Sequence, residues 1–428
     1  MAIQGMELNH ADLSALFKIK YEKLSENVYN SANVLLGRCK KSYNFVGSKM
    51  QITIPQSFAG GVGSGTLPKA SRALYAAAEI TSKKVYAVVQ VDRETIKAAM
   101  KDEGSFVRAT KEVVKKGVES YMRNLSRILF SDGEGIIALA HASTAATYNS
   151  TDKELTITLT SGFNEADLEE RDLVNIEGVS AGGITGDVTA FEIVEVNASA
   201  GTITVSCSSD QSSNVTASGK ISIQNSLGVD PMGLKGAVGD KNITTSKSSG
   251  GAAGNLSAAT DLYSVPLTRK WQSVEKDASS ASISTDLLNE VMLAVEKKCG
   301  KAPNLIVTSF KQYEKILNIL EDQKRYQVNT RSGLKSSSGA DISFSGVEFM
   351  SSAGPIGIFP ERFCDDDRVY FLNDSHIQIY HRPNFGWFDD DGTVFLRMAN
   401  EDAYEARYGG YFQIYINPCF HGVLQNLA

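Results

Sequence analysis

The chain contains no run approaching 18 apolar residues, so none of its helices is expected to cross a membrane. From Met1 to Asn30 the apolar stretches are broken by Glu7, Asp12, Lys18, Lys20, Glu22 and Lys23. The unbroken apolar core of a signal peptide is therefore missing, and synthesis and retention in the cytoplasm are expected. The five cysteines, Cys39, Cys207, Cys299, Cys364 and Cys419, are odd in number and widely spaced, with no C-x-x-C pair to clamp zinc or run thiol exchange. They are expected to be reduced and mostly buried. No basic block interrupts the sequence either: 43 Lys and Arg stand against 49 Asp and Glu, a net charge of −6, which lacks the electrostatic footprint of a nucleic-acid reader.

Catalytic signatures are missing too. Gly60, Gly61, Gly63 and Gly65 are followed by Thr66 and Leu67, so the Walker lysine is absent, and no choice of start gives G-x-G-x-x-G. Gly233, Gly236 and Gly239 have the wrong spacing for phosphate and read as a bend or close backbone contact. There is no G-x-S-x-G elbow and no H-E-x-x-H. The acidic runs Asp365–Asp367 and Asp389–Asp391 lack the alternating ligands and distal glutamate of a calcium loop and read as turns between strands. Of His10, His141, His376, His381 and His421, only His376 and His381 are near neighbours, at a spacing that a strand sends to opposite faces. No enzyme is expected, and no catalytic, cofactor-binding or metal-ligating residue is assigned.

What is present is a globular composition, 42% hydrophobic and 21% charged over 428 residues. At about 150 residues per domain that length suggests two to four units. Arg38 to Val91 reads as a long hairpin whose Gly-rich tip spans Ser57 to Ala70. Two-stranded ribbons are marginal alone, so this one is expected to lean on something else, with another chain as a candidate. Asp92 opens a short helix to Met100. From Gly104 to Phe130, Val107, Val114, Val118, Tyr121, Leu125, Ile128 and Leu129 recur at three and four residues, predicting a helix roughly 40 Å long. Gly117 in its middle costs about 1 kcal/mol relative to alanine.

Between about Tyr148 and Asn225 short strands alternate with turn signals: Leu155–Leu159, Leu173–Ile176, Phe191–Val196, Thr202–Val205 and Lys220–Ile223. That spacing favours a small all-β barrel, inserted rather than appended because mixed sequence resumes after it. Thr244 to Thr260 is a low-complexity stretch too poor in large apolar groups to pack. A helix over Ile283–Cys299, a buried strand Asn304–Thr308 and a helix opened by Ser309, with a capping box to Gln312, form a compact α/β unit. Strands are expected over Ile342–Met350, Arg368–Leu372, His376–His381 and the tract Thr393–Ile416.

Several short motifs fall in a telling order. Ser131, Asp132, Gly133, Glu134 and Gly135 follow the long helix directly, and Asp230, Pro231, Met232, Gly233 and Leu234 form a Pro-x-Gly-Leu segment. Gly300 and Pro303–Thr308 precede the Ser309 helix, and Phe344, Gly346, Val347, Gly354–Ile358 and Val369–Leu372 come after it. Gly386, Trp387, Phe388, Asp390 and Gly392, the strand Thr393–Met398, Asp402–Ala406 and finally Asn417, Pro418, His421 and Gly422 complete the series. In this order the chain resembles the tailed-phage major capsid protein family, the Hong Kong 97-type fold, in a version carrying an inserted β-barrel.

The resemblance implies an α+β fold with these parts: an N-terminal arm (1–37), an extended loop (38–91), a peripheral domain with spine helix 104–130 (92–147), an inserted β-barrel (148–225), an axial domain (226–375), peripheral return strands (376–412) and a C-terminal axial segment (413–428). It implies a coat protein that self-assembles into pentamers and hexamers of an icosahedral head enclosing double-stranded DNA without specific contacts. A separate scaffolding protein is implied, because the segment before the extended loop is too short for a cleaved scaffolding piece. A portal, a possible decoration protein, residence in the virion and assembly in the host cytoplasm follow from the same resemblance. Some relatives crosslink a hairpin lysine to a neighbour's asparagine, and Lys69 is the conceivable donor here. Alternative readings are an encapsulin-like cargo compartment, a β-rich adhesin or glycan-binding protein suggested by the Ser/Thr-rich strands, and a hydrolase using the Asp365–Asp367 or Asp389–Asp391 cluster.

Overall fold

The computed structural model describes residues 34–42, 45, 47, 49–57, 74–92, 103–160, 163–177, 191–239, 261–266, 271–322, 334–335, 341–342, 347–352, 354–382, 386–388, 394–398 and 402–428. The arm before Val34, the Gly60–Gly65 tip with Lys69, the helix expected after Asp92, the Thr244–Thr260 stretch and the Asp389–Asp391 run lie outside the described residues.

Among the described residues, two helices precede the centre of the fold, α1 (Val34–Arg38) and α2 (Glu103–Phe130). The second is the long helix the periodicity predicts. Its C-terminal half buries Val118, Tyr121, Met122, Leu125, Ile128 and Leu129, the three-and-four spacing that puts one stripe against a core. Lys115 and Glu119 stay exposed and pair at 3.6 Å.

On one side of α2 lies a six-stranded sheet built around the strand Ala403–Ile416. Lys83–Asp92 runs antiparallel along one edge, from Phe412↔Lys83 to Ala403↔Asp92. Ile377–His381, Gly386–Trp387 and Phe395–Arg397 share the other edge, and Lys40–Ser42 joins parallel to Ile377–His381. The tract expected as β throughout from Thr393 is thus two strands paired with each other. Along the long strand Ala406, Tyr408, Phe412, Ile414 and Ile416 join the cluster around α2, the period of two that a pleated strand imposes.

The expected Arg38–Val91 hairpin also divides. Lys49–Ser57 pairs with Leu74–Thr81, whereas the continuation Lys83–Asp92 belongs to the sheet just described. The physical reason is burial: Val85, Ala87 and Val89 pack against the α2 cluster. The described hairpin leans on its own chain. Ala78 and Ile80 sit in a cluster with Leu262, Tyr263, Val265, Trp271, Tyr380 and Tyr415 of the same chain, and Glu79 N–H donates to the Tyr263 carbonyl at 2.9 Å.

After α2 the chain enters a seven-stranded antiparallel sheet in the order Ile136–Leu139, Lys220–Ile223, Leu173–Ile176, Phe191–Asn197, Thr202–Ser206, Glu154–Thr158, Thr147–Asn149. It begins at Ile136, earlier than the Tyr148 expected from turn spacing. The reason is pairing: the entering strand Ile136–Leu139 lies beside the leaving strand Lys220–Ile223. Ala140 is bridged to Leu159, and Thr160 N–H donates to the Leu139 carbonyl at 2.8 Å, linking the first strand to Glu154–Thr158 as well. Leu155, Ile157, Val174, Ile193, Ile203, Val205 and Ile221 form a separate core inside.

The short helix α3 (Leu234–Ala237) leads to a second six-stranded sheet in the order Val274–Asp277, Gly422–Gln425, Val369–Leu372, Leu305–Thr308, Gly354–Pro360, Val347–Ser351. Helices α4 (Thr285–Cys299) and α5 (Phe310–Asp322) cover one face. Ser284 caps α4 by accepting from Leu287 N–H, and Ser309 accepts from Gln312 N–H at 3.3 Å. Ile306, Ile358, Phe371 and Leu424 meet the helices, while Leu305, Val307, Phe359, Tyr370, Leu372 and Val423 join the α2 cluster. Helix α2 therefore packs between two sheets, which explains why the central strands of this second sheet are apolar on both faces.

Candidate assembly surface and buried junction

The turn after α2 is held by charge and by close backbone contact. Arg127 Nη2 meets Asp230 Oδ2 at 3.0 Å with both side chains almost fully enclosed. Ser131 Oγ donates to the Pro231 carbonyl at 3.3 Å, and Asp132 Oδ1 accepts from Glu134 N–H at 2.8 Å. A Cβ on Gly233 would lie 2.4 Å from the Ile128 carbonyl oxygen, and one on Gly236 would lie 2.3 Å from that of Asp132. These glycines permit a backbone crossing, as their spacing suggested, and do not cradle a phosphate.

Asp365 accepts from Lys235 at 2.7 Å and pairs with Arg368, which also reaches Asp367. Asp365 and Asp367 of the first acidic run are therefore engaged in structural ion pairs, while Asp366 is exposed. Arg123 ties α2 to the segment leading into the strand Leu173–Ile176 through Glu169 (2.5 Å) and Asp172 (2.6 Å). Between these groups is a cavity of about 30 Å3 lined by Arg127, Asp132, Asn164, Asp167, Lys235 and Phe363 among others, room for a water molecule or so. Burial pushes the carboxyls of Asp132 and Asp167 up to about 7. Asp167 as a residue is half-buried, yet its Oδ1, like Asp132 Oδ2, is sealed without a hydrogen-bond partner. The other polar side chains lining the cavity are engaged: Ser131 Oγ donates to the Pro231 carbonyl, Thr160 Oγ1 to the Ala140 carbonyl, and Lys235 pairs with Asp365.

The histidines are dispersed as well. His376 lies in the turn before Ile377–His381 rather than in the strand, stacked on Phe420 with centroids 3.7 Å apart. His421 is wholly enclosed, accepts from Asn373 N–H through Nδ1, and is held neutral by burial, which lowers its pKa to about 3. Among the described residues no group of three or more His, Cys, Asp or Glu is placed to hold a metal.

The surface suited to a partner is the outer face of the first six-stranded sheet. On that face Tyr380 and Tyr415 pack into the Trp271 cluster. Tyr86 at 41% and Val88 at 60% exposure remain uncovered. The Tyr86, Phe388 and Tyr411 rings meet edge to face at 5.5 to 6.3 Å, and Lys84 and Arg382 lie over Tyr411. Such an aromatic and cationic patch has the composition of an interface. Further exposed apolar side chains are Leu293 on α4 and Phe310 on α5. Sequence reading assigned no role to Tyr86 or Val88; the signal was available in Val85–Val91, a strand apolar on both faces.

The SU10 major capsid protein family matches residues 232–387, from the glycine crossing to the return strand at Trp387. No curated protein sequence matches the chain. Among solved structures, the chain is similar to the capsid of cyanophage A-1(L) at 10% identity, covering 94% of this chain and 93% of that one with a TM-score of 0.47. It is similar to a chain of Mycobacterium phage Patience at 8% identity, covering 100% and 91%, TM-score 0.41. A third likeness is the SrpI encapsulin of Synechococcus elongatus at 8% identity, covering 92% and 87%, TM-score 0.41.

Proposed function

We infer that the chain is the major capsid protein of a tailed bacteriophage, a structural and non-enzymatic coat subunit. The observation that carries this reading is the match of residues 232–387 to a major capsid protein family. The order of elements along the chain, from extended hairpin through long helix to axial and return strands, supports it.

In this reading subunits associate into pentamers and hexamers of an icosahedral head through the domain containing α4 and α5, where Phe310 and Leu293 are exposed. The hairpin Lys49–Ser57/Leu74–Thr81 reaches across a neighbour from its own-chain base on Trp271. The seven-stranded sheet is an inserted domain whose entering and leaving strands lie side by side. A scaffolding protein, a portal and a decoration protein are the partners this role calls for. The packaged DNA is enclosed without specific contacts, and assembly takes place in the host cytoplasm.

The test is sedimentation velocity of the chain, alone and with its scaffolding protein, with negative-stain images of each peak. Shells, tubes or rings of five or six subunits are expected, and a strict monomer under both conditions would reject the reading. Deleting Ser57–Lys69 is expected to abolish closed shells of normal size; shells unchanged in size and stability would remove the hairpin's assigned role.

A further inference from the structure

Helix α4 ends at Cys299, after which Gly300 takes a left-handed conformation (φ 70°) and returns its N–H to the Glu296 carbonyl. The Cys299 thiol donates to the backbone carbonyl of Cys419, in the short turn Pro418–Phe420 that precedes the strand Gly422–Gln425. The Cys299 thiol thereby reaches the backbone of a cysteine 120 residues away in sequence. Lys298 sits beside them, its ammonium on the carbonyls of Gln272 and Ser273; burial raises the Cys419 thiol, and Lys298 and a backbone hydrogen bond from Gln272 offset that only in part. Cys39, Cys207 and Cys364 are buried, whereas Cys299 and Cys419 are only half-buried.

We propose that Cys299 and Cys419 are a dithiol site that closes to an intrachain disulfide by exchange with a small-molecule disulfide, for which glutathione disulfide serves as the probe. The Cys419 thiolate attacks one sulfur of the oxidant, forming a mixed disulfide and expelling one thiolate. The Cys299 thiolate then attacks the Cys419 sulfur and expels the second. The protein loses two protons and two electrons, and the oxidant becomes two thiols. The bond ties the end of α4 to the approach of the strand lying between Val274–Asp277 and Val369–Leu372, closing a long loop and so restricting the unfolded chain. This inference does not rest on the coat-protein reading.

Burial pushes the Cys299 thiol up to about 11 and raises that of Cys419. Both are thus protonated and slow to exchange near neutral pH, which keeps the pair reduced in a cytoplasm rich in thiols. The faster regime is alkaline.

The test incubates the purified full-length protein with glutathione disulfide at pH 8.5, quenches with acid, alkylates, and maps peptides without reduction. The expected result is a joined peptide carrying Cys299 and Cys419, with the thiol count of the denatured protein falling by two from its five cysteines and recovering with dithiothreitol. In Cys299→Ser the reaction is expected to stop at a glutathione adduct on Cys419. Separate adducts on both cysteines without a joined peptide, or no reaction at either, would overturn the proposal. The wild-type peptide map decides the matter alone if the variant does not fold.

Discussion

A Cβ placed on Gly117 would lie 2.4 Å from Cγ2 of Val89. The strand Lys83–Asp92 approaches the middle of α2 there, and Val89 is 4% exposed. The missing side chain makes room for a neighbouring one, which is why a residue poor in helix propensity occupies the centre of the longest helix.

Gly117→Ala is therefore expected to destabilise the protein. Its helix-propensity gain of about 1 kcal/mol is opposed by overpacking costs of about 1–3 kcal/mol. Thermal melting should show a lower Tm for the single variant and recovery when Val89→Ala is added. A Tm above wild type for Gly117→Ala alone would contradict this packing.

Arg127 and Asp230 form an enclosed ion pair at 3.0 Å. Arg127→Leu leaves a buried carboxylate uncompensated and should cost about 3–5 kcal/mol in denaturant unfolding. The double variant Arg127→Leu/Asp230→Leu should lose markedly less than the sum of the two singles, because it removes the stranded charge along with its partner. Additive losses would mean that the pair is not coupled.

Asp132 and Asp167 have carboxyls raised by burial to about 7 from 3.8. A folded-state pKa above the unfolded value means that the stability tied to these groups is greatest below about pH 4 and declines as pH rises through about 7. Above that range both states are ionised and the term is flat. Melting followed from pH 5 to pH 8 should show this decline, and Asp132→Asn with Asp167→Asn should reduce the slope. An unchanged slope in the double variant would assign the pH dependence elsewhere.

Trp271 is 1% exposed in the cluster that seats the hairpin, and its Nε1 donates to the Leu262 carbonyl at 3.3 Å. Trp271→Ala should cost about 3–5 kcal/mol, with a local signature. Amide hydrogen exchange is expected to accelerate in Lys49–Ser57 and Leu74–Thr81 more than in Ala403–Ile416. Uniform acceleration across both would show that the hairpin is not seated there.

Much of the local structure was legible in advance. The three-and-four recurrence from Val107 to Leu129 announced α2, because a stripe at helical period has one way to be buried. Ser309 and Gln312 marked the start of α5, because the helix's first N–H groups need acceptors nearby. The order of short motifs was enough to name a capsid family, and the family that matches residues 232–387 is a capsid family. Features requiring distant segments to meet were not legible. Periodicity shows that Val85–Val91 is a strand but not which strand it pairs with, so its departure from the hairpin into the Ala403–Ile416 sheet was missed.

The sequence by itself determined the elements and the absence of local catalytic motifs, because dihedral preference, caps and side-chain period act over a few residues. Only the tertiary structure decided that Gly117 faces Val89, that Arg127 meets Asp230, that Asp132 and Asp167 line one cavity, and that Cys299 reaches Cys419. Each of these depends on contacts between segments far apart in the chain, and their energies come from desolvation and close packing, which no local pattern of residues encodes.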